Sequence, residues 1–176
     1  MIISAEKARL MVDGIGEWTD ERIEMALDAI EQTVRAYTNN NFQRRSVRAV
    51  CDVIGGELHG VFTGFSVGDT VQITASRYND GLYTVTEVDG AVMACDDLQD
   101  DEPGVLVTKV VYPADVIACA LNLLKWEAQS RGKVGIQSET LSRHSVTYFA
   151  MDGDNSVMGY PRSLLGCLKA YRKARF

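Results

Sequence analysis

The spacing of apolar residues changes twice along this chain, and those two changes restrict the folds open to it. Between Thr19 and Tyr37, the residues Ile23, Ala26, Leu27, Ile30, Val34 and Tyr37 recur every three or four positions. That spacing forms one stripe of an amphipathic helix of about five turns. From Ser46 to about Val111 the period becomes strand-like, with β-branched residues alternating or clustering between glycine, asparagine and aspartate. Helical spacing returns after Pro113, where Val116, Ile117, Ala120, Leu121, Leu124 and Ala128 form a broad apolar face ending near Gly132. A chain that leaves the helical period once and returns to it predicts an α+β fold. The expected architecture is a helical domain of about four helices, residues 1–45 and 111–176, carrying an inserted small all-β, barrel-like module, residues 46–110.

Local signals set the expected ends of these elements. Ser4 is placed to cap a short helix from Ala5 to Met11, and Thr19, followed by Asp20 and Glu21, to cap the next. Asn39, Asn40 and Asn41 should stop that helix, because asparagine competes for backbone hydrogen bonds and tolerates left-handed geometry. Asn79-Asp80-Gly81 and Asp89-Gly90 read as turns, and the acidic run Asp96–Glu102 as an exposed loop before a last strand at Val105–Val111. Residues 133–149 alternate at Leu141, Val146 and Tyr148, which predicts an extended arm or hairpin. Pro161 should open a closing helix with Leu164, Leu165, Leu168 and Tyr171 on one side.

Composition narrows the chemistry. At 46% hydrophobic and 24% charged residues the chain should fold as a globular protein. The opening MIISAEKARLMVDG has no basic start followed by an apolar run, and no stretch reaches the ~20 apolar residues that span a bilayer, so a soluble, intracellular protein is expected, with no membrane partner. Cys51, Cys95, Cys119 and Cys167 lack CxxC spacing and are expected to be reduced and structural. The two histidines, His59 and His144, have no second ligand at i+3 or i+4, and Ser142, His144 and Ser145 are neighbours in sequence without an orienting third group. No phosphate-binding glycine loop is present, and Asp96, Asp97, Asp100, Asp101 and Glu102 do not follow the EF-hand pattern. No metal, cofactor or enzymatic activity is therefore expected. A net charge of −6 argues against a surface that clasps nucleic acid everywhere, while leaving local basic patches open. Arg77, Tyr78 and Tyr83 are the hints of a nucleic-acid reader in the β segment.

One basic block stands out. After Asp154 there is no further acid, and Arg162, Lys169, Arg172, Lys173 and Arg175 accumulate beside Tyr171 and Phe176. These residues either complement a helix C-terminus or dock an acidic surface. The arm, with Leu141, Arg143, His144, Val146, Tyr148 and Phe149, is a second candidate contact, covering its own core or that of a neighbouring subunit.

Three phrases, TDERIEMALDAIEQTVRAYTNNNF, YPADVIACALNLLKWEAQSRGKVGIQSETLSRHSVTYF and YPRSLLGCLKAYRKARF, resemble in order and character the head-tail connector (adaptor, head completion) proteins of tailed bacteriophages. FSVGDTVQITASRYNDGLYTVTEV resembles a small β module inserted in some phage structural proteins. The resemblance implies a virion structural protein, assembled in the bacterial cytoplasm and located at the head-tail interface. It implies a homo-oligomeric ring following the twelvefold symmetry of the portal, docked on the portal protein through the basic C-terminus and meeting a stopper or tail-completion protein. DNA would pass through its channel, in packaging and ejection, without sequence-specific binding. A heterologous interface reaching through the arm would close such a ring. A phage stopper, a tail terminator, or a small β-barrel nucleic-acid-binding module are the alternative readings.

Overall fold

A computed structural model describes residues 1–99, 101–130, 138–141, 144–147 and 154–174. The chain divides into two compact units, one of Met1 with Asn41–Tyr112 and one of Ile2–Asn40 with Pro113–Phe176.

The first unit is a closed antiparallel barrel. Its strands are β1 (Gln43–Ile54), β2 (Glu57–His59), β3 (Thr70–Thr74), β4 (Gly81–Asp89), β5 (Val92–Cys95) and β6 (Glu102–Val110). They close in the order β1-β2-β5-β4-β3-β6. In the second half of β1, Ala49, Cys51 and Val53 are buried while Val50, Asp52 and Ile54 face out, the period of two that a one-sided core imposes on a strand. The barrel interior is filled by these residues with Leu58, Val71, Ile73, Val85, Met93, Val105 and Val107, and by Phe62 and Phe65, whose rings meet edge to face at 6.0 Å. Gly55 and Gly56 make the β1–β2 turn with φ of 61° and 81°, a pair of left-handed positions that a two-residue hairpin requires. Gly60 follows β2 where a Cβ atom would lie 2.7 Å from Cys51 Cβ, so the crossing chain fits only without a side chain.

The second unit holds three α-helices among the described residues: α1 (Ala5–Met11), α2 (Asp20–Thr38) and α3 (Ala114–Ser130). Ser4 Oγ accepts from the Lys7 amide and Thr19 Oγ1 from the Arg22 amide, the caps expected from the sequence. Helix α2 buries Ile23, Leu27, Ile30 and Val34 and ends at Asn39 in the left-handed conformation, φ 48°. Helix α3 buries Val116, Cys119, Ala120, Leu121, Leu123 and Leu124. Strands β7 (Ser138–Leu141) and β8 (His144–Thr147) form one two-stranded ribbon, and β9 (Ser156–Val157) and β10 (Tyr160–Pro161) another.

The expected fold class is corrected by this arrangement. The six-stranded closed barrel is the principal element, and the chain is not a helical-connector α+β fold with a minor β insertion. Two physical reasons account for the error. The barrel already begins at Gln43, but Arg44 and Arg45 show no apolar alternation, so the sequence pattern leaves them with the helical part. The expected fourth helix does not form as an α-helix: Pro161 belongs to a β-bridge with Ser156, and only Gly166–Tyr171 winds, as a 3-10 helix. Leu165 and Leu168 are both fully buried at a spacing of three, which suits three residues per turn, and Gly166 disfavours a longer α-helix. The expectation of four reduced cysteines is corrected too, since Cys119 of α3 and Cys167 of the 3-10 helix are joined by a disulfide with Cα atoms 6.6 Å apart, while Cys51 and Cys95 are free and buried.

Candidate functional site

The basic C-terminal residues are tied to the end of α2. The Lys173 amide donates to Thr38 O at 2.8 Å, Asn39 Nδ2 to Ala174 O at 2.9 Å and Asn40 Nδ2 to Tyr171 O at 3.3 Å. These bonds fasten the segment beside the last turn of α2, where cations favour the helix dipole. The Tyr171 hydroxyl lies 2.7 Å from both carboxylate oxygens of Asp115. That hydrogen bond holds the phenol above its ordinary pKa, because ionisation would set two anions face to face. The Arg172 guanidinium sits over the Tyr37 ring, 5.4 Å from its centre. Arg162, Lys169 and Lys173 are exposed. Tyr171 thus anchors the segment, and the exposed cations are what it offers outward. Arg175 and Phe176 lie outside the described residues.

The expected arm is a hairpin in its described part. Strand β7 pairs with β8 so that Leu141 faces His144 and Glu139 faces Val146, while the hydroxyl residues Ser138 and Thr140 pair with Thr147 and Ser145. Among the described residues the ribbon joins no other sheet. Arg143, Tyr148 and Phe149 lie outside the described residues.

On the barrel, Arg77 and Tyr78 are brought together with Asp101, Glu102 and Pro103 around an open cleft of about 310 Å³. The cleft is built by hydrogen bonds between three turns. Asn79, fully buried, donates to Gln99 O and accepts from the Gln99 amide, both at 2.8 Å. The Glu102 carboxylate accepts from Ser76 Oγ at 2.5 Å and from the Arg77 amide at 2.6 Å. The Ser76 bond leads in holding that carboxyl below its ordinary pKa. Ser76 Oγ also accepts from the Asn79 amide at 2.7 Å and from the Tyr78 amide at 3.2 Å, so the Ser76 hydroxyl, which donates to Glu102, is a turn clasp whose proton and both lone pairs are already used. Asp101 Oδ1 accepts from the Gly55 amide at 2.6 Å, which adds the β1–β2 turn to the same end. Exposed Asp80, Asp96, Asp97 and Asp101 therefore gather at this end of the barrel. Tyr83, the third aromatic hint, lies on β4, and burial pushes its phenol pKa up.

His59 on β2 lies 3.9 Å from Glu57 and His144 is on β8. Among the described residues no group of three or more histidine, cysteine, aspartate or glutamate side chains is arranged to hold a metal ion, and no helix is long and apolar enough to cross a membrane.

A feature that the sequence reading passed over is the run Arg44, Arg45 and Arg48 on β1, all exposed. Three arginines within five positions of an acidic chain were a legible signal. They precede the alternating part of the strand, so its period does not mark them. No family model matches this chain, and no curated protein sequence matches it.

Proposed function

We propose that the chain is a structural assembly protein of a tailed phage, a head-tail connector that forms a ring on the portal and extends the DNA channel towards the tail. The observation that carries this reading is the β7–β8 ribbon. A two-stranded hairpin is at best marginally stable alone in water, and this one joins no other sheet among the described residues, so a neighbouring subunit is the surface that would complete it. The order of the three phage-like sequence phrases supports the same reading. The exposed cations Arg162, Lys169 and Lys173, the last two flanking the Tyr171–Asp115 hydrogen bond, are the proposed portal-docking group; Leu141, His144 and Val146 mark the proposed inter-subunit contact.

The test is charge reversal at Arg162, Lys169 and Lys173, followed by co-sedimentation with the portal ring encoded in the same genome. Loss of co-sedimentation with an unchanged circular dichroism spectrum supports docking through this segment. Binding at native affinity removes the docking assignment and favours the stopper or tail-terminator reading.

A further inference from the structure

We infer that Arg44, Arg45 and Arg48 form a contact strip for the phosphate backbone of duplex nucleic acid. Gln43 pairs with Val110 and Arg48 with Thr108. Five steps along β1 therefore match two along β6, and three extra residues are accommodated between them. A strand widened in this way leaves the hydrogen-bond ladder and re-aims its side chains. Val47 is the inward anchor: it packs against the barrel core and lies 3.3 Å from where a Cβ on Gly64 would stand. Arg44, Arg45, Ser46 and Arg48 stay exposed around it. Among the described residues none of the three guanidinium groups has a carboxylate partner within ion-pair distance.

The electrostatics around the strip point the same way. The nearby acid, Asp69, precedes β3 and is neutralised by Lys109 of β6 at 2.5 Å. Exposed Asp80, Asp96, Asp97 and Asp101 collect at the other end of the barrel, by the β1–β2 turn and the cleft, whereas Gln43, Thr70 and Val110 mark the end that the arginines occupy, where Asp89 of the β4–β5 turn is the exposed aspartate. Neighbouring side chains are neutral and hydrogen-bonding: Ser46 is exposed, and Gln43 donates to Gln72 at 3.1 Å. Guanidinium groups bind phosphate oxygens in a planar, two-pronged geometry, and hydroxyl and amide side chains commonly add contacts to the backbone. No aromatic residue stands between the arginines, so the strip lacks the stacking platform of a single-strand binder and the anchors of a protein hot spot. An extended strand with no apolar helix face is also unlike a membrane-surface element.

This inference deepens the channel reading by naming the residues that would touch the passing duplex, and it is measured without portal, so either can fail alone. The experiment is a heteronuclear NMR titration of the full chain with a DNA duplex of about 16 base pairs in low salt. Amide shifts are expected at residues 43–48, 70–72 and 108–110. With three phosphate contacts, binding should weaken about forty-fold between 50 and 200 mM salt. The combined variant Arg44→Gln, Arg45→Gln and Arg48→Gln should lose both the shifts and the salt dependence while keeping its barrel spectrum, and each single change should flatten the salt dependence by about a third. Shifts that map to 162–173 instead, shifts that persist in the triple variant, no shifts at all, or equal competition by polyglutamate of matched charge would each overturn the assignment.

Discussion

Asn79 and Gln99 are joined by two hydrogen bonds of 2.8 Å, one in each direction, with the Asn79 side chain fully buried. The pair locks the β3–β4 turn to the loop before β6 and so fixes the cleft that holds Arg77 and Tyr78. Asn79→Ala would leave the Gln99 amide and carbonyl without their partner, at a cost of about 1–3 kcal/mol. For a chain of this size that corresponds to a melting temperature lower by roughly 2–4 °C per kcal/mol. A melting curve unchanged within a degree would mean that water replaces the side chain at no cost.

Lys109 and Asp69 should behave as a coupled pair. Their side chains are only 17% and 20% exposed, Asp69 also accepts from the Ser66 amide, and Lys109 Nζ reaches Gly64 O at 3.2 Å. Removing one partner leaves a largely buried charge, so Lys109→Met should cost about 2–3 kcal/mol, somewhat below the range for fully buried pairs. Changing both residues to apolar ones of similar size should recover part of that loss. A double-mutant cycle in urea measures the coupling, and strict additivity would show that the two side chains act independently.

The buried thiols make stability fall at alkaline pH. Burial is the main reason that the Cys51 pKa rises to about 11 and the Cys95 pKa to about 12. Once unfolded, both would ionise near the ordinary thiol value, so between roughly pH 9 and 11 the unfolded chain binds fewer protons than the folded one. Stability is complete below that window and declines as pH rises through it. The urea midpoint should fall from pH 8 to pH 10.5, and the variant Cys51→Ala with Cys95→Ala should show a flatter profile. Below pH 8 a disulfide-exchange reagent should label neither thiol until the barrel opens. Prompt labelling of the native protein would contradict the burial.

Gly60→Ala should destabilise the barrel by about 1–3 kcal/mol, because the new Cβ would approach Cys51 Cβ to 2.7 Å and Val50 O to 3.3 Å. Both chains at this crossing are confined, so relief requires backbone movement. A substituted protein as stable as the parent, by denaturant unfolding, would show that the crossing has slack.

The parts of this architecture that sequence made legible are those written in short-range signals. Ser4 and Thr19 each cap a helix through a hydroxyl three positions ahead of its partner amide, and Asn39 ends α2 in the left-handed geometry suited to its side chain. A barrel-like module was legible, but the pairing that closes it was not, since it depends on β1 meeting β6 some fifty positions away, and no local period encodes which strands meet. Pro161 shows the converse failure: a residue suited to a helix start serves a β-bridge with Ser156, because tertiary pairing overrides a weak local preference. Of the candidate surfaces, the C-terminal cations were visible as a charge run. Arg77 and Tyr78 were noticed, but their meeting with Asp101 and Glu102 depends on long-range hydrogen bonds from Ser76 and Asn79.

Mass by light scattering, of the protein alone and then mixed with the portal ring encoded in the same genome, tests the connector reading most directly. A discrete ring, or co-elution at one copy per portal subunit, is the predicted result. A monomer that keeps its mass in the presence of portal would contradict it.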